Sequence, residues 1–220
     1  MVKGKRKPMD EINSVISVYS RIFVVGCGGC VSVCLAGGQR EVLELVEDLK
    51  EYSGNTKQFK TYTVERQCSQ NFLSELDDMA AVCDCIISMA CGAGVQYLAE
   101  RFPGIPVFPA LNTLAIGVDR EIGVYEEKCR ACGECVLAYT GGICPVTKCA
   151  KGLFNGPCGG TNKGMCEINK SISCAWNDIY QRLSDQGRLD NILKIQEPMQ
   201  WQNQTQRTIV QDAYASRYSG

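Results

Sequence analysis

Cysteine is the residue type whose number and spacing in this chain could do chemistry. Eight cysteines lie between positions 129 and 174, namely Cys129, Cys132, Cys135, Cys144, Cys149, Cys158, Cys166 and Cys174. The chain has no histidine, so any bound metal would be held mainly by sulfur. Sites made of thiolates select iron–sulfur clusters or zinc.

The run Cys129-x-x-Cys132-x-x-Cys135 is the most specific motif in this segment. Three thiolates from one tight loop can hold three corners of a [4Fe-4S] cluster, with a fourth ligand supplied from elsewhere. Zinc uses Cys-x-x-Cys pairs, but a third cysteine three residues on is less typical of it. Cys144 precedes Pro145, as at the end of a ferredoxin motif. Eight cysteines suffice for two such sites, and the spacing leaves their partition open.

A second group, Cys27-x-x-Cys30-x-x-x-Cys34, follows a short apolar segment. The neighbouring glycines would let backbone amides approach cluster sulfurs. We predict a third metal site here, to which Cys91 contributes because it follows another predicted strand. The sequence therefore predicts two or three [4Fe-4S] clusters, with zinc as the alternative at one cysteine-rich site.

Other interpretations of these cysteines remain open. A cysteine can be a small buried apolar residue, which is our interpretation of Cys68, Cys83 and Cys85. Cys27 and Cys30 could form a redox dithiol, although a third nearby cysteine favours metal. A dinucleotide-binding loop is a weak match, because Val31 stands where the third glycine should be.

The elements that must position these groups are predicted from periodicity. Strands are expected at 21–25, 59–64, 84–90 and 106–109, and helices at 42–49, 72–79 and 95–101. This alternation predicts an α/β fold with a parallel sheet and flanking helices. Sites in such sheets lie beyond the carboxyl ends of the strands, which would bring the Cys27 group and Cys91 together.

We divide the chain into four segments. Residues 1–20 are a charged lead-in and residues 21–128 form the α/β domain. An irregular, glycine-rich metal-cluster domain follows at 129–195 and ends in a helix near Trp176 to Leu183. Residues 196–220 form a polar tail. A loop as long as the one after Cys129 is unusual without metal to order it.

Composition excludes several classes of function. The formal net charge is −1, so nucleic acid and acidic membranes are not expected partners. No apolar segment is long enough to span a bilayer. The basic start is not followed by the apolar segment that a secretory leader needs. We therefore expect a cytoplasmic protein whose thiols stay reduced. Oxygen-sensitive clusters would suggest an anaerobic setting.

The segment after Cys129 closely resembles the C-terminal domain family of methylenetetrahydrofolate reductase. The similar motifs are CxxCxxC, TGGICPVT, NGPCGG, a following CE and the CAW at the start of the last helix, over residues 129–183. The first domain, with VVGCGGCVSVCLAGG and MACGAGVQ, is similar to the amino-terminal half of the same small subunit. The resemblance extends over roughly residues 20–195 and does not include the tail.

This resemblance implies an iron–sulfur subunit that accompanies a flavin-containing methylenetetrahydrofolate reductase. The family is sometimes described as zinc-binding. The chain would pass electrons to or from the flavin of its partner, and a further donor subunit or a ferredoxin would supply them. A zinc-stapled docking subunit of the same complex is the alternative. We expect no catalytic residues in this chain, since no acid–base constellation is evident.

Overall fold

The structure is a computed structural model that describes residues 1–200 and 205–218, and its chain forms two compact units, Met1–Lys128 and Cys129–Gly220. In chain order the first unit contains β1 (Val2–Arg6), α1 (Met9–Ile16), β2 (Arg21–Cys27), α2 (Cys30–Val33), α3 (Gln39–Tyr52), β3 (Gln58–Val64), α4 (Gln70–Leu73), α5 (Asp77–Ala80), β4 (Cys85–Met89), α6 (Gly92–Arg101), β5 (Val107–Pro109), β6 (Leu111–Glu121) and β7 (Val124–Cys129). The last residue of β7 is the first of the second unit.

Four parallel strands form the sheet on which the first unit is built. Their order is β3-β2-β4-β5, and β2 pairs in parallel with both β3 and β4. The predicted α/β class is therefore confirmed. β2 is central and buried on both faces, as expected for a parallel sheet covered by helices.

Alternate residues of β2 enter two different apolar cores. Ile22 and Val24 pack into a cluster with residues of α1 and α3, whereas Phe23 and Val25 pack into one with residues of α4, α5 and α6. This is the two-residue period of a strand with helices on both sides. Helices packed on both faces of the sheet therefore hold the carboxyl ends of the strands in place.

A second sheet of three strands, in the order β1-β6-β7, was not expected from the sequence. β1 pairs antiparallel with β6, from Val2 opposite Ile116 to Arg6 opposite Leu111. It occupies part of the segment that we interpreted as a lead-in. The helix predicted at 72–79 is instead two short α-helical turns separated by a 3₁₀ turn at Ser74–Leu76.

The second unit contains little regular structure. Its described helices are α7 (Pro145–Lys148) and α8 (Ala175–Asp185), with 3₁₀ turns at Leu189–Leu193 and Asp212–Arg217. A small apolar cluster forms where α8 packs its buried face. The members of that cluster are Ile143, Trp176, Ile179 and Leu183. Many glycines between α7 and α8 have positive φ, as tight turning of the backbone requires.

The polar tail predicted at 196–220 lies partly outside the described residues, at 201–204 and 219–220. Residues 205–218 are exposed to solvent. Among the helices of the described residues, none combines the length and the apolar character needed to cross a membrane.

Candidate functional site

Three strand ends of the parallel sheet are each followed by a cysteine. Cys27 is the last residue of β2 and lies opposite Val64, the last residue of β3. Cys68 follows in the loop after β3, and Cys91 follows two residues after β4. Because parallel strands end at the same edge of a sheet, these residues converge there. Each of the Cys68 and Cys91 thiolates acts on the pKa of Cys27, as expected of neighbours.

Gln67 fastens the loop that carries Cys68 to the sheet. Its side chain is fully buried, and its Nε2 donates hydrogen bonds to the carbonyl oxygens of Val25 (2.9 Å) and Gly26 (3.0 Å). Its Oε1 accepts a 2.6 Å hydrogen bond from the Ser88 hydroxyl on β4. A buried amide with its polar groups satisfied in this way fixes one loop conformation. The position of Cys68 is therefore set by the residue before it.

The sulfur of Cys27 is buried beside two backbone amides. Burial raises the pKa of the Cys27 thiol above its ordinary value, while hydrogen bonds from the backbone amides of Gln67 and Gly29 oppose that rise. The Cys27 side chain is 8% exposed. A bound cation would offset the desolvation cost of the thiolate, and the two amides would remain as hydrogen-bond donors to it.

Cys30 and Cys34 lie in different surroundings. Cys30 opens α2 and is exposed to solvent. Cys34 is 1% exposed, and its Sγ accepts a 3.3 Å hydrogen bond from the backbone N–H of Gly4 on β1. The same thiol donates to the carbonyl oxygen of Val31 at 3.5 Å. Its hydrogen bonds are those of a buried structural thiol.

Two further cysteines of the first unit are placed as small apolar residues. Cys85 is fully buried in β4, and burial raises its pKa to about 12. Cys83 is half-buried, and its thiol donates to the carbonyl oxygen of Met79 at 3.1 Å. With its pKa at about 12, the Cys85 thiol is protonated and unreactive near neutral pH.

The motif that begins the second unit is a tight, accessible loop. Cys129 and Cys135 are exposed and Cys132 is partly so. Ala131 and Gly133 both have positive φ, at 51° and 91°, which turns the backbone sharply between the cysteines. The N–H of Ala131 donates a 3.3 Å hydrogen bond to the sulfur of Cys129. The sulfur of Cys144, at the start of α7, accepts a 3.4 Å hydrogen bond from the Thr147 hydroxyl.

The remaining cysteines of the second unit share one small cavity of about 20 Å³. The four cysteines that line it are Cys149, Cys158, Cys166 and Cys174. Short antiparallel bridges, Asn162 to Met165 and Met165 to Ser173, bring the segments that carry the last two of them together. The cavity also contains Lys151 and Glu167, which form an ion pair. The structure thus groups four of the eight cysteines, a partition that the spacing had left open.

One hydrogen-bond pattern recurs in all three cysteine groups. The sulfur of Cys27 accepts from the amide of Gly29, that of Cys129 from Ala131, and that of Cys158 from Gly160 at 3.4 Å. In each case the donor is the backbone N–H two residues further on. Such bonds favour the thiolate over the thiol and tune a metal bound to it.

The residues present fit a thiolate metal site chemically. The donor set is sulfur, amide donors are aimed at three of the sulfurs, and four thiols share one cavity. Within residues 1–200 and 205–218, no three Cys, Asp or Glu side chains are gathered closely enough to hold a metal ion. Metal binding would therefore require side-chain rotations, and no cysteine of the described residues is committed to a disulfide.

In the sequence analysis, Cys68 was not placed beside the Cys27 group, where the structure has it. The rule that connected Cys91 to the Cys27 group, namely that residues after parallel strands meet at one edge, applies equally to Cys68. The predicted strand at 59–64 ends only four residues before it. Because Cys68 belongs to no Cys-x-x-Cys pair, we interpreted it as an isolated apolar residue.

Residues 108–202 match the family model described as methylene-tetrahydrofolate reductase C terminal. The matched segment contains all eight cysteines of the second unit and the whole of β6 and β7, and it is less than half of the chain. Residues 1–107, which contain the Cys27 group, Cys68 and Cys91, lie outside it. No curated protein and no solved structure matches the chain.

Proposed function

We propose that this chain is an iron–sulfur subunit that carries electrons to or from a flavin-dependent methylenetetrahydrofolate reductase. The observation that carries the proposal is the amide-to-sulfur hydrogen bond that recurs in three cysteine groups. The match to the reductase C-terminal family supports association with a reductase of this type. A bound iron–sulfur cluster would supply one-electron chemistry, which a protein of ordinary side chains lacks.

Thiols and backbone amides of this chain would hold, orient and tune such a group. The loop at 129–135 presents three thiols on the surface of its unit, where a redox partner can approach. Ala131 directs its amide at the Cys129 sulfur, which stabilises the charged form. Reduction of methylene- to methyl-tetrahydrofolate needs two electrons, and a one-electron carrier would pass them to the partner's flavin one at a time.

Metal and sulfide analysis tests this proposal directly. The full chain is purified under anaerobic conditions, and its iron, acid-labile sulfide and zinc are counted per chain. We expect iron and sulfide in equal amounts and an electron paramagnetic resonance signal after reduction with dithionite. The variant Cys129→Ala should lose about one cluster, or roughly four iron atoms. A chain that binds zinc and no iron would refute the electron-carrying role.

A zinc-stapled docking subunit is a second candidate, favoured by the size of one cavity. The space between the four cysteines is about 20 Å³, which is close to the room that a single water molecule needs. A single tetrahedral ion needs less rearrangement there than a four-iron cluster. Zinc at this site combined with clusters elsewhere would give equal iron and sulfide, plus one zinc that is lost in Cys166→Ala.

A further inference from the structure

We propose that the first unit contains a metal site whose four ligands are Cys27, Cys30, Cys68 and Cys91. Cys68 thereby takes the place that the sequence spacing gives to Cys34. All four proposed ligands belong to the first unit. The identity of the bound group, an iron–sulfur cluster, rests on the proposed function.

Sheet topology places these residues at one edge. β2, β3 and β4 are adjacent and parallel, with Cys27 opposite Val64 and Gly26 opposite Met89. The chain leaves each of these strand ends toward a cysteine, and the N–H of Gly28 still bonds to the carbonyl oxygen of Val64 at 2.8 Å. Three of the four proposed ligands thus come from neighbouring strand ends, and the fourth follows Cys27 after two glycines.

The loop that carries Cys68 is held against the same strand ends. Gln67 reaches under β2 to two carbonyl oxygens and across to Ser88 on β4. The first turn of α6 also packs on it, since a Cβ at Gly94 would lie 3.0 Å from the Gln67 Cβ. Cys91, immediately before α6, and Cys68, immediately after Gln67, are therefore positioned by one contact. This arrangement makes Cys68 a more suitable ligand than its sequence spacing indicates.

Cys34 is held by burial and by hydrogen bonds to the backbone. Its sulfur is 1% exposed and hydrogen-bonded to the backbone of β1 through Gly4. Its own carbonyl oxygen accepts from the Lys3 ammonium at 3.0 Å. Moving this sulfur to a metal would break the packing between α2 and β1. Cys30 and Cys68 are exposed instead, so their side chains can rotate toward a bound group without disturbing the core.

Local electrostatics suit an anionic metal centre. The amides of Gly29 and Gln67 already donate to Cys27, and Cys91 is the N-cap residue of the ten-residue helix α6, where the helix dipole favours negative charge. Arg66 lies beside Gly29 and contributes a cation, which an ion pair with Glu65 at 3.6 Å partly offsets. Each thiol that becomes a ligand releases its proton to solvent.

Three variants of the full chain test the ligand set. Cys68→Ala removes the proposed ligand, and Cys34→Ser removes the competing sulfur while keeping a hydroxyl for the Gly4 contact. Cys83→Ala is the control for a cysteine outside both sets. All three are purified anaerobically, checked by circular dichroism, and analysed for iron, sulfide and zinc, with electron paramagnetic resonance after reduction.

We expect Cys68→Ala to lose one metal centre, about four iron and four sulfide per chain for a cluster, and one spectral component. Cys34→Ser and Cys83→Ala should keep the full wild-type content. If Cys68→Ala keeps all its metal, or if Cys34→Ser loses a centre instead, the inference is overturned while the proposed function stands. If the wild type holds zinc but no iron, the proposed function fails. One zinc lost in Cys68→Ala would then still support the four ligands.

Discussion

The buried side chain of Gln67 should contribute more to stability than any single surface contact of the first unit. Gln67→Ala removes two hydrogen bonds to β2 carbonyl oxygens and one from Ser88, at 2.9, 3.0 and 2.6 Å. At roughly 0.5–1.5 kcal/mol each, we expect the free energy of unfolding to fall by about 2–4 kcal/mol. Ser88→Ala breaks one of the three bonds and should cost about 1 kcal/mol.

Two optical probes can separate the units during denaturation with urea. Most described helical and strand residues belong to the first unit, so far-ultraviolet circular dichroism follows its unfolding. Trp176 is buried in the apolar cluster of the second unit, so its fluorescence follows the unfolding of that unit. Gln67→Ala should lower the urea midpoint measured by circular dichroism and leave the midpoint measured by fluorescence unchanged.

Gln96→Ala is the matched control, since Gln96 is exposed on α6 and hydrogen-bonds only within its helix, to Gly92, among the described contacts. It should change stability by less than about 0.5 kcal/mol. If Gln67→Ala lowers the free energy of unfolding no more than this control does, Gln67 does not hold the loop. If Ser88→Ala lowers it as much as Gln67→Ala does, Ser88 and not Gln67 is the residue that holds the loop.

Two further outcomes follow from the first unit. Gly26→Ala should lower the free energy of unfolding by about 1–3 kcal/mol, because the new Cβ would lie 2.4 Å from the Thr63 Oγ1 and 2.7 Å from the Val42 Cγ2, whereas Gly104→Ala, with open space around it, should be neutral. In folded protein stripped of metal, iodoacetamide at pH 8 should modify Cys68 and spare Cys85, whose pKa is raised to about 12 by burial; mass spectrometry that finds Cys85 modified first would contradict its placement in the core.

The parallel sheet was predictable because each of its strands has a recognisable pattern of apolar residues in the local sequence. β2 is a continuous apolar run, and a strand buried on both faces needs such a run. The strands β1 and β6 gave no comparable signal. Most residues of β6 are exposed or half-buried, and β1 reads as a basic segment. Their pairing joins residues more than a hundred positions apart, and strand propensity depends on the partner that the local sequence does not contain.

The same distinction between local and long-range signals applies to the cysteine groups. The grouping of Cys129, Cys132 and Cys135 in one tight loop was predictable because these cysteines are neighbours in sequence. The cavity formed by Cys149, Cys158, Cys166 and Cys174 was not, since its members come from separate turns. In the sequence analysis, Cys34 was chosen over Cys68 because spacing alone ranks a nearby cysteine above one that a buried amide brings to the strand ends, and the exchange of the two remains our proposal.

The two units also differ in what holds their cysteines in place. In the first unit, strands and helices form two apolar cores, and the thiols lie on a scaffold that is complete without metal. In the second unit, the apolar cluster around Trp176 contains four fully or nearly buried residues, and much of the chain between α7 and α8 consists of turns. Order in those turns requires cohesion that so small a core cannot supply. We propose that thiolate–metal bonds supply this cohesion, so any metal bound in the second unit would be structural as well as serving any other role.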